Sequence, residues 1–180
     1  SRNYQLIVAR STNKADQVAA QLGMMDTYFA IPKADSAGVI AREVLAAGNV
    51  VSGAQNRGQL MLGKVAFSKG DYKTAQSEFE KTIALAKDVN GAEAQYYLGD
   101  ILYRQKKYKE SVSTLLKFNA DFSEFEYWKG KAFILVADNN IAQDELAQAK
   151  AVLNSIIENS SEEAIIAEAK QKLASLENKN

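Results

Sequence analysis

The sequence predicts an all-α fold in which antiparallel helix pairs stack one after another, and three observations predict it. One proline, Pro32, and ten scattered glycines interrupt the 180-residue chain, so little in it breaks a helix, and an all-β sandwich would need more turn residues. Ala, Leu, Lys, Glu and Gln, which lose least on entering a helix, fill most segments. A segment near the middle also recurs: LGKVAFSKGDYKTAQSEFEKTI, from Leu62 to Ile83, aligns with LGDILYRQKKYKESVSTLLKF, from Leu98 to Phe118, at a shift of 36 residues. A fixed period of that order points to a row of like units. At 47% hydrophobic residues the chain can bury a core.

Taken in order, residues 1–13 carry apolar Tyr4, Leu6, Ile7 and Val8 with no partner segment ahead of them. They read as the remnant of a preceding helix or repeat, the chain being the carboxyl end of a longer array. Helices are expected at 14–31 and 35–48, with Pro32 in their turn; Leu22-Gly23, Ala41 and Leu45 make this a degenerate copy, 14–50. Helices 54–68 and 71–87 form the repeat 54–88, in which Tyr72, Ala75, Phe79 and Ile83 fall on one helical stripe. Asn90-Gly91 marks a turn, followed by helices 92–105 and 108–119 of the repeat 92–120. There Leu98-Gly99, Tyr103, Tyr108 and Leu115 match Leu62-Gly63, Phe67, Tyr72 and Phe79. A third copy, VADNNIAQDELAQAKAVLNSII, sets Val136-Ala137, Leu146, Ala149 and Leu153 in the same places at a shift of 38; its helices are 124–139 and 143–158, the repeat 124–159. Ser123-Glu124-Phe125-Glu126 and Ser160-Ser161-Glu162-Glu163 read as capping boxes. The last helix, 161–177, has Ile165, Ile166, Ala169, Leu173 and Leu176 on one side and polar residues behind, as suits a cap that closes the row. Residues 178–180 are a tail.

The physics of the repeated positions is specific. Gly63 and Gly99 are expected where the second helix of a pair crosses the first closely. Ala75 and Ala149 would be the small residues facing them, and Tyr72 and Phe79 would fill space between successive pairs. The set Leu62-Gly63, Phe67, Gly70-Asp71-Tyr72, Ala75 and Phe79 resembles the tetratricopeptide repeat, whose Leu-Gly, aromatic, Gly-x-Tyr, Ala and Phe signature spans about 34 residues. The chain departs from it at Phe67, one place beyond the usual aromatic position, at Lys106, where a turn glycine is expected, and at Ser111, where alanine is expected. The resemblance implies a right-handed superhelical solenoid over 14–177 with a C-terminal capping helix. The stretch from Ala92 through YYLGDILYRQKKYKES, EYWKGKAF and AQAKAVLNSIIEN further resembles the terminal region of large tetratricopeptide proteins of Bacteroidetes-type bacteria. That likeness implies a role in the cell envelope and a periplasmic or outer-membrane-associated place over the cytoplasm.

A solenoid of helix pairs binds on its concave face, lined by the first helix of each pair. Counted from the Leu-Gly anchors, the inward positions are Arg57, Leu60, Lys64 and Phe67, then Glu93, Tyr96, Asp100, Tyr103 and Arg104, then Lys131, Ile134 and Asp138. They describe a groove of mixed charge with aromatic anchors, suited to a helix or an extended segment; alternatively Phe67, Tyr96 and Tyr103 pack between repeats. Tyr127-Trp128 is either a binding hot spot or an aromatic pair packed on the preceding helices, the second reading weighing more. Arg104, Lys106, Lys107 and Lys109 form a solvated turn or, less simply, a patch for an acidic partner.

Composition removes most other functions. The chain has 22 basic and 22 acidic residues and no basic stripe, whereas nucleic-acid binding draws its affinity from phosphate neutralisation. The apolar runs fall far short of the roughly 20 residues that span a bilayer. Without histidine or cysteine, the commonest general base, the thiol nucleophile and the commonest transition-metal ligands are missing. The carboxylate pairs Glu78-Glu80, Glu124-Glu126 and Glu162-Glu163 are accounted for by helix faces and caps. Asp138-Asn139-Asn140 lacks the glycine and closing glutamate of a calcium loop. The expectation is a non-catalytic scaffold for a protein or peptide partner, with no cofactor or metal, no nucleic acid and no membrane insertion. The alternatives are a self-assembly module stacking through the N-terminal end, or a peptidoglycan- or oligosaccharide-binding domain using Tyr96, Tyr103 and Trp128 as sugar platforms.

Overall fold

A computed structural model describes residues 2–31 and 33–177, and among them all regular structure is helical. The expected Pro32 turn and the 178–180 tail lie outside the described residues. The chain divides into two compact units, residues 1–86 and 87–180.

Unit 1 holds α1 (Arg2–Arg10), α2 (Lys14–Ala30), α3 (Ala34–Ala47), α4 (Ala54–Ser68) and α5 (Tyr72–Leu85). Each packs on the next, and α2 also meets α4. Val18, Leu22 and Met25 of α2, Ile40 and Val44 of α3, and Met61 and Val65 of α4 form its core. The Asn13 side chain caps α2 by accepting from the Ala15 N–H at 2.9 Å, and that of Asp71 caps α5 from Thr74 at 3.1 Å. Within residues 2–13, α1 lies on α2, with the Tyr4 ring against Gly23 and the Gln5 amide donating to the Tyr28 hydroxyl at 2.9 Å. Gly23 therefore meets the helix before it, where the degenerate copy would have set it against the one after.

Unit 2 holds α6 (Val89–Arg104), α7 (Tyr108–Leu116), α8 (Phe118–Asp121), α9 (Glu126–Ala142), α10 (Leu146–Asn159) and α11 (Glu163–Glu177). α6 pairs with α7 and α9 with α10; α9 also packs on α6 and α7, and α11 on α10 and α9. Ile134 and Ala137 of α9, Ala149, Leu153 and Ile156 of α10, and Ile165, Ala169 and Leu176 of α11 make one buried cluster.

The close approach expected at the two repeat glycines is present, with a different partner. A Cβ on Gly63 would stand 2.5 Å from the Phe79 ring, and one on Gly99 would stand 2.5 Å from Leu115 Cγ. Phe79 is thus fully buried over Gly63 within its own pair, where the sequence reading had it filling space between pairs and gave the facing role to Ala75. Two glutamines 36 residues apart repeat a second contact: the Gln95 amide donates to the Thr114 carbonyl at 2.7 Å and the Gln59 amide to the Glu78 carbonyl at 3.5 Å. The turn between paired helices recurs three times. Gly70, Lys106 and Asp144 all take φ of 60 to 75°, and the N–H after each returns to the carbonyl five residues back, at 2.8 to 3.0 Å.

Four local expectations are corrected. Asn90-Gly91 is the first turn of α6 and not a connecting turn, because the Asp88 carboxylate accepts from both N–H groups and starts the helix there. Ser123 does not cap α9, which begins at Glu126 after Phe125 with no side-chain cap; Phe122, buried beside Phe118 at 5.7 Å, sets that connection. Ser160 accepts from the Glu162 N–H at 3.2 Å, but its own N–H is taken by the Ile156 carbonyl, so the reciprocal half of the box is missing. The helix expected over 108–119 breaks at Lys117, and Phe118 enters the interior as the first residue of α8.

Candidate functional site

In unit 1 the four expected inward residues lie along α4. Arg57 forms an ion pair with Asp26 of α2, and the Lys64 ammonium stands 5.3 Å from the centre of the Phe29 ring, also on α2. Phe67 packs on Tyr72 with ring centres 5.7 Å apart. Leu60 is only 4% exposed; it belongs to the interior and presents no surface.

The other eight lie on α6 and α9 in unit 2. Ile134 is interior, 2% exposed, for the same reason as Leu60. Lys131 reaches both carboxylate oxygens of Glu168 on α11 at 2.9 and 3.0 Å, and Asp138 accepts from Lys172 of α11 at 2.7 Å. Asp100 is 7% exposed and accepts from the Arg104 guanidinium one turn on, at 2.9 Å. Glu93 is half-buried near the start of α6. Tyr103 packs against Tyr108 at 5.8 Å.

The aromatic residues converge where α6 meets α9. Tyr97 and Tyr96 are 5.6 Å apart, Tyr96 and Trp128 5.5 Å, and Trp128 and Tyr127 5.3 Å, edge to face. Trp128 thus packs on the preceding pair, while Tyr127 stays 45% exposed. Burial raises the Tyr96 hydroxyl above its usual pKa, helped by Asp100, Glu168 and Asp138. Tyr97 is pushed up to about 12, chiefly by burial and then by Glu93; Tyr103 is raised by burial and then by Asp138. These carboxylates favour the neutral phenol, so the hydroxyls remain hydrogen-bond donors throughout the physiological range.

Sequence reasoning missed the partners of the groove residues. Asp26, Glu168 and Lys172 sit 31, 37 and 34 residues from Arg57, Lys131 and Asp138. Opposite charges about one repeat apart were the available signal. It also missed a cleft of about 290 Å³ in unit 2, whose lining includes Lys129, Gly130, Phe133, Val152, Ile156 and Asn159. The basic run Arg104, Lys106, Lys107 and Lys109 is exposed throughout.

A family model for the tetratricopeptide repeat matches residues 60–124, which supports a tetratricopeptide-type chain and agrees with its consecutively paired helices. Such repeats generally mediate protein–protein interaction on a typically non-catalytic scaffold. No curated protein matches the chain. Among the described residues no helix is long and apolar enough to cross a membrane.

Proposed function

We propose that the chain is a non-catalytic scaffold whose first-helix faces hold a segment of a protein partner. The observation that carries this is the run of rings Tyr97, Tyr96, Trp128 and Tyr127 on α6 and α9, half-exposed and flanked by charges already paired. Rigid aromatic side chains lose little entropy on binding and dominate protein interfaces, and paired neighbours leave few charges to be stripped of water without compensation. In unit 1, taken by itself, the corresponding face is that of α4, with Lys64 and Phe67. A place in the periplasm or at the outer membrane, as part of a longer protein, is part of this reading and is drawn from the sequence resemblance of Ala92 to Asn159 to the terminal region of large tetratricopeptide proteins of Bacteroidetes-type bacteria.

The test is affinity capture from the source organism with the wild-type chain and with Lys64→Ala/Tyr96→Ala/Tyr103→Ala. Partners retained by the first and lost by the second are expected, and identical recovery on both baits rejects these faces. A self-assembly role draws on α1, where Leu6 and Ile7 are 43% and 42% exposed; light scattering that stays monomeric across a concentration series removes it.

A further inference from the structure

The three turns that join paired helices share one backbone geometry but differ in charge. The residue at positive φ and the one after it are Gly70-Asp71 in unit 1, and Lys106-Lys107 and Asp144-Glu145 in unit 2. The lysine turn departs from the unit 1 turn against local preference on two counts. Lys106 holds a left-handed φ of 60°, where Gly70 has no Cβ to strain. Lys107 stands where Asp71 caps α5 by accepting from Thr74 at 3.1 Å, and it gives α7 no side-chain cap; a cation is also disfavoured at the positive end of a helix. Residues held against local preference point to a use beyond the fold. Lys106, Lys107 and Lys109 are exposed and, among the described residues, form no ion pair, whereas Arg104, Lys131 and Lys172 of the same unit do. Of residues 105–111 only Glu110 is acidic, so the turn keeps a surplus of unmet positive charge on a unit that carries 12 basic and 15 acidic residues.

Resting on the reading of the chain as a scaffold for a protein partner, we infer that the α6–α7 turn docks an acidic segment of that partner, its aspartate or glutamate carboxylates set against Lys106, Lys107 and Lys109. Three free ammonium groups suit a short acidic run. Nucleic-acid binders neutralise about 6–10 phosphates, and a basic cluster that holds an anionic membrane has about 4–8 lysines or arginines, so the turn falls short of both. Exposed pairs of this kind are weak one by one and are screened by salt; the turn therefore steers and orients the segment more than it anchors it.

The full chain, isotope-labelled for amide NMR, is titrated at low salt with a blocked decapeptide of alternating glutamate and glycine. In parallel it is titrated with the glutamine counterpart, with hexathymidylate, which matches the peptide in charges, and with phosphatidylglycerol vesicles. Saturable shifts of the amide signals of residues 105–111 are expected with the glutamate peptide, at an affinity about tenfold above that of the glutamine peptide and falling as salt is added. Lys106→Gly/Lys107→Asp, which gives the turn the residues of unit 1, should keep the wild-type circular dichroism spectrum and bind the glutamate peptide about tenfold more weakly. Lys107→Gln/Lys109→Gln, which removes charge alone, should weaken it about fivefold. Absence of saturable shifts at the turn, equal affinity for the glutamine peptide, unchanged affinity in either variant, or tighter binding of hexathymidylate or of the vesicles overturns the inference. The capture experiment varies Lys64, Tyr96 and Tyr103 and leaves the turn intact, so each reading can fail without the other.

Discussion

In the α4–α5 hairpin of unit 1 a phenylalanine ring covers Gly63, and in the α6–α7 hairpin of unit 2 a leucine covers Gly99. The two hairpins share the glycine, the glutamine that reaches across to the second helix, and the turn. They differ at the small position one turn before the covering residue. Ala75 in unit 1 is fully buried and apolar, whereas Ser111 in unit 2 is equally buried but donates to the Gly99 carbonyl at 2.8 Å and accepts from Asn139 of α9 at 3.0 Å. The comparison teaches that close helix approach is fixed by glycine plus any well-filled apolar cover, while polar specificity is added at a second site in one hairpin alone.

The covering residues give the largest effect. Phe79→Ala should destabilise unit 1 by about 4 kcal/mol and Leu115→Ala unit 2 by about 3 kcal/mol, the loss in each case being transfer energy plus an unfilled cavity. Hydrogen exchange read separately over residues 1–86 and 87–180 checks this. If Phe79→Ala lowers protection equally in both segments, the units unfold as one and the comparison between them loses its meaning.

Next comes the polar difference. Ser111→Ala restores the residue the repeat pattern expects, yet should cost about 2 kcal/mol, because the buried Asn139 amide loses one of its two acceptors, keeping the Leu135 carbonyl, and the Gly99 carbonyl loses a donor. Asn139 is already poorly served, since its Oδ1 has no hydrogen-bond partner. Urea denaturation of Ser111→Ala showing no loss would mean the network contributes nothing net. Asn139→Leu alone would then be expected to stabilise.

These two predictions also mark how far the sequence could be read. Helix positions were legible because apolar stripes and helix formers dictate them locally, and the Leu-Gly anchors located the close approaches. Which residue fills the space over a glycine was not legible, since Ala75 and Phe79 lie on one stripe and only the crossing geometry selects the ring. Start signals misled where a stronger competitor stood nearby: Asp88 captured two N–H groups that made Asn90-Gly91 helical, and burial of Phe118 and Phe122 overrode the serine ahead of α9. Of the candidate faces, the residue positions on α4, α6 and α9 could be counted from the anchors, but Leu60 and Ile134 turned inward, because helix counting ignores what packs above. The ion pairs that engage Lys131 and Asp138 needed α11 in place.

The turn supplies the smallest effect. Gly70, Lys106 and Asp144 hold the same left-handed conformation, at φ of 75, 60 and 62°. Glycine adopts it freely, aspartate tolerates it, and lysine suffers contact between its Cβ and the backbone. Lys106→Gly should therefore stabilise unit 2 by about 0.5–1 kcal/mol, the relief of roughly 1–2 kcal/mol of strain being partly offset by the extra freedom of glycine in the unfolded chain. Asp144→Gly should change little, and Gly70→Ala should destabilise unit 1 by about 1 kcal/mol. Urea midpoints for the three variants check the order. A gain at Asp144 larger than at Lys106 would show that side-chain contacts, and not backbone conformation, govern these turns.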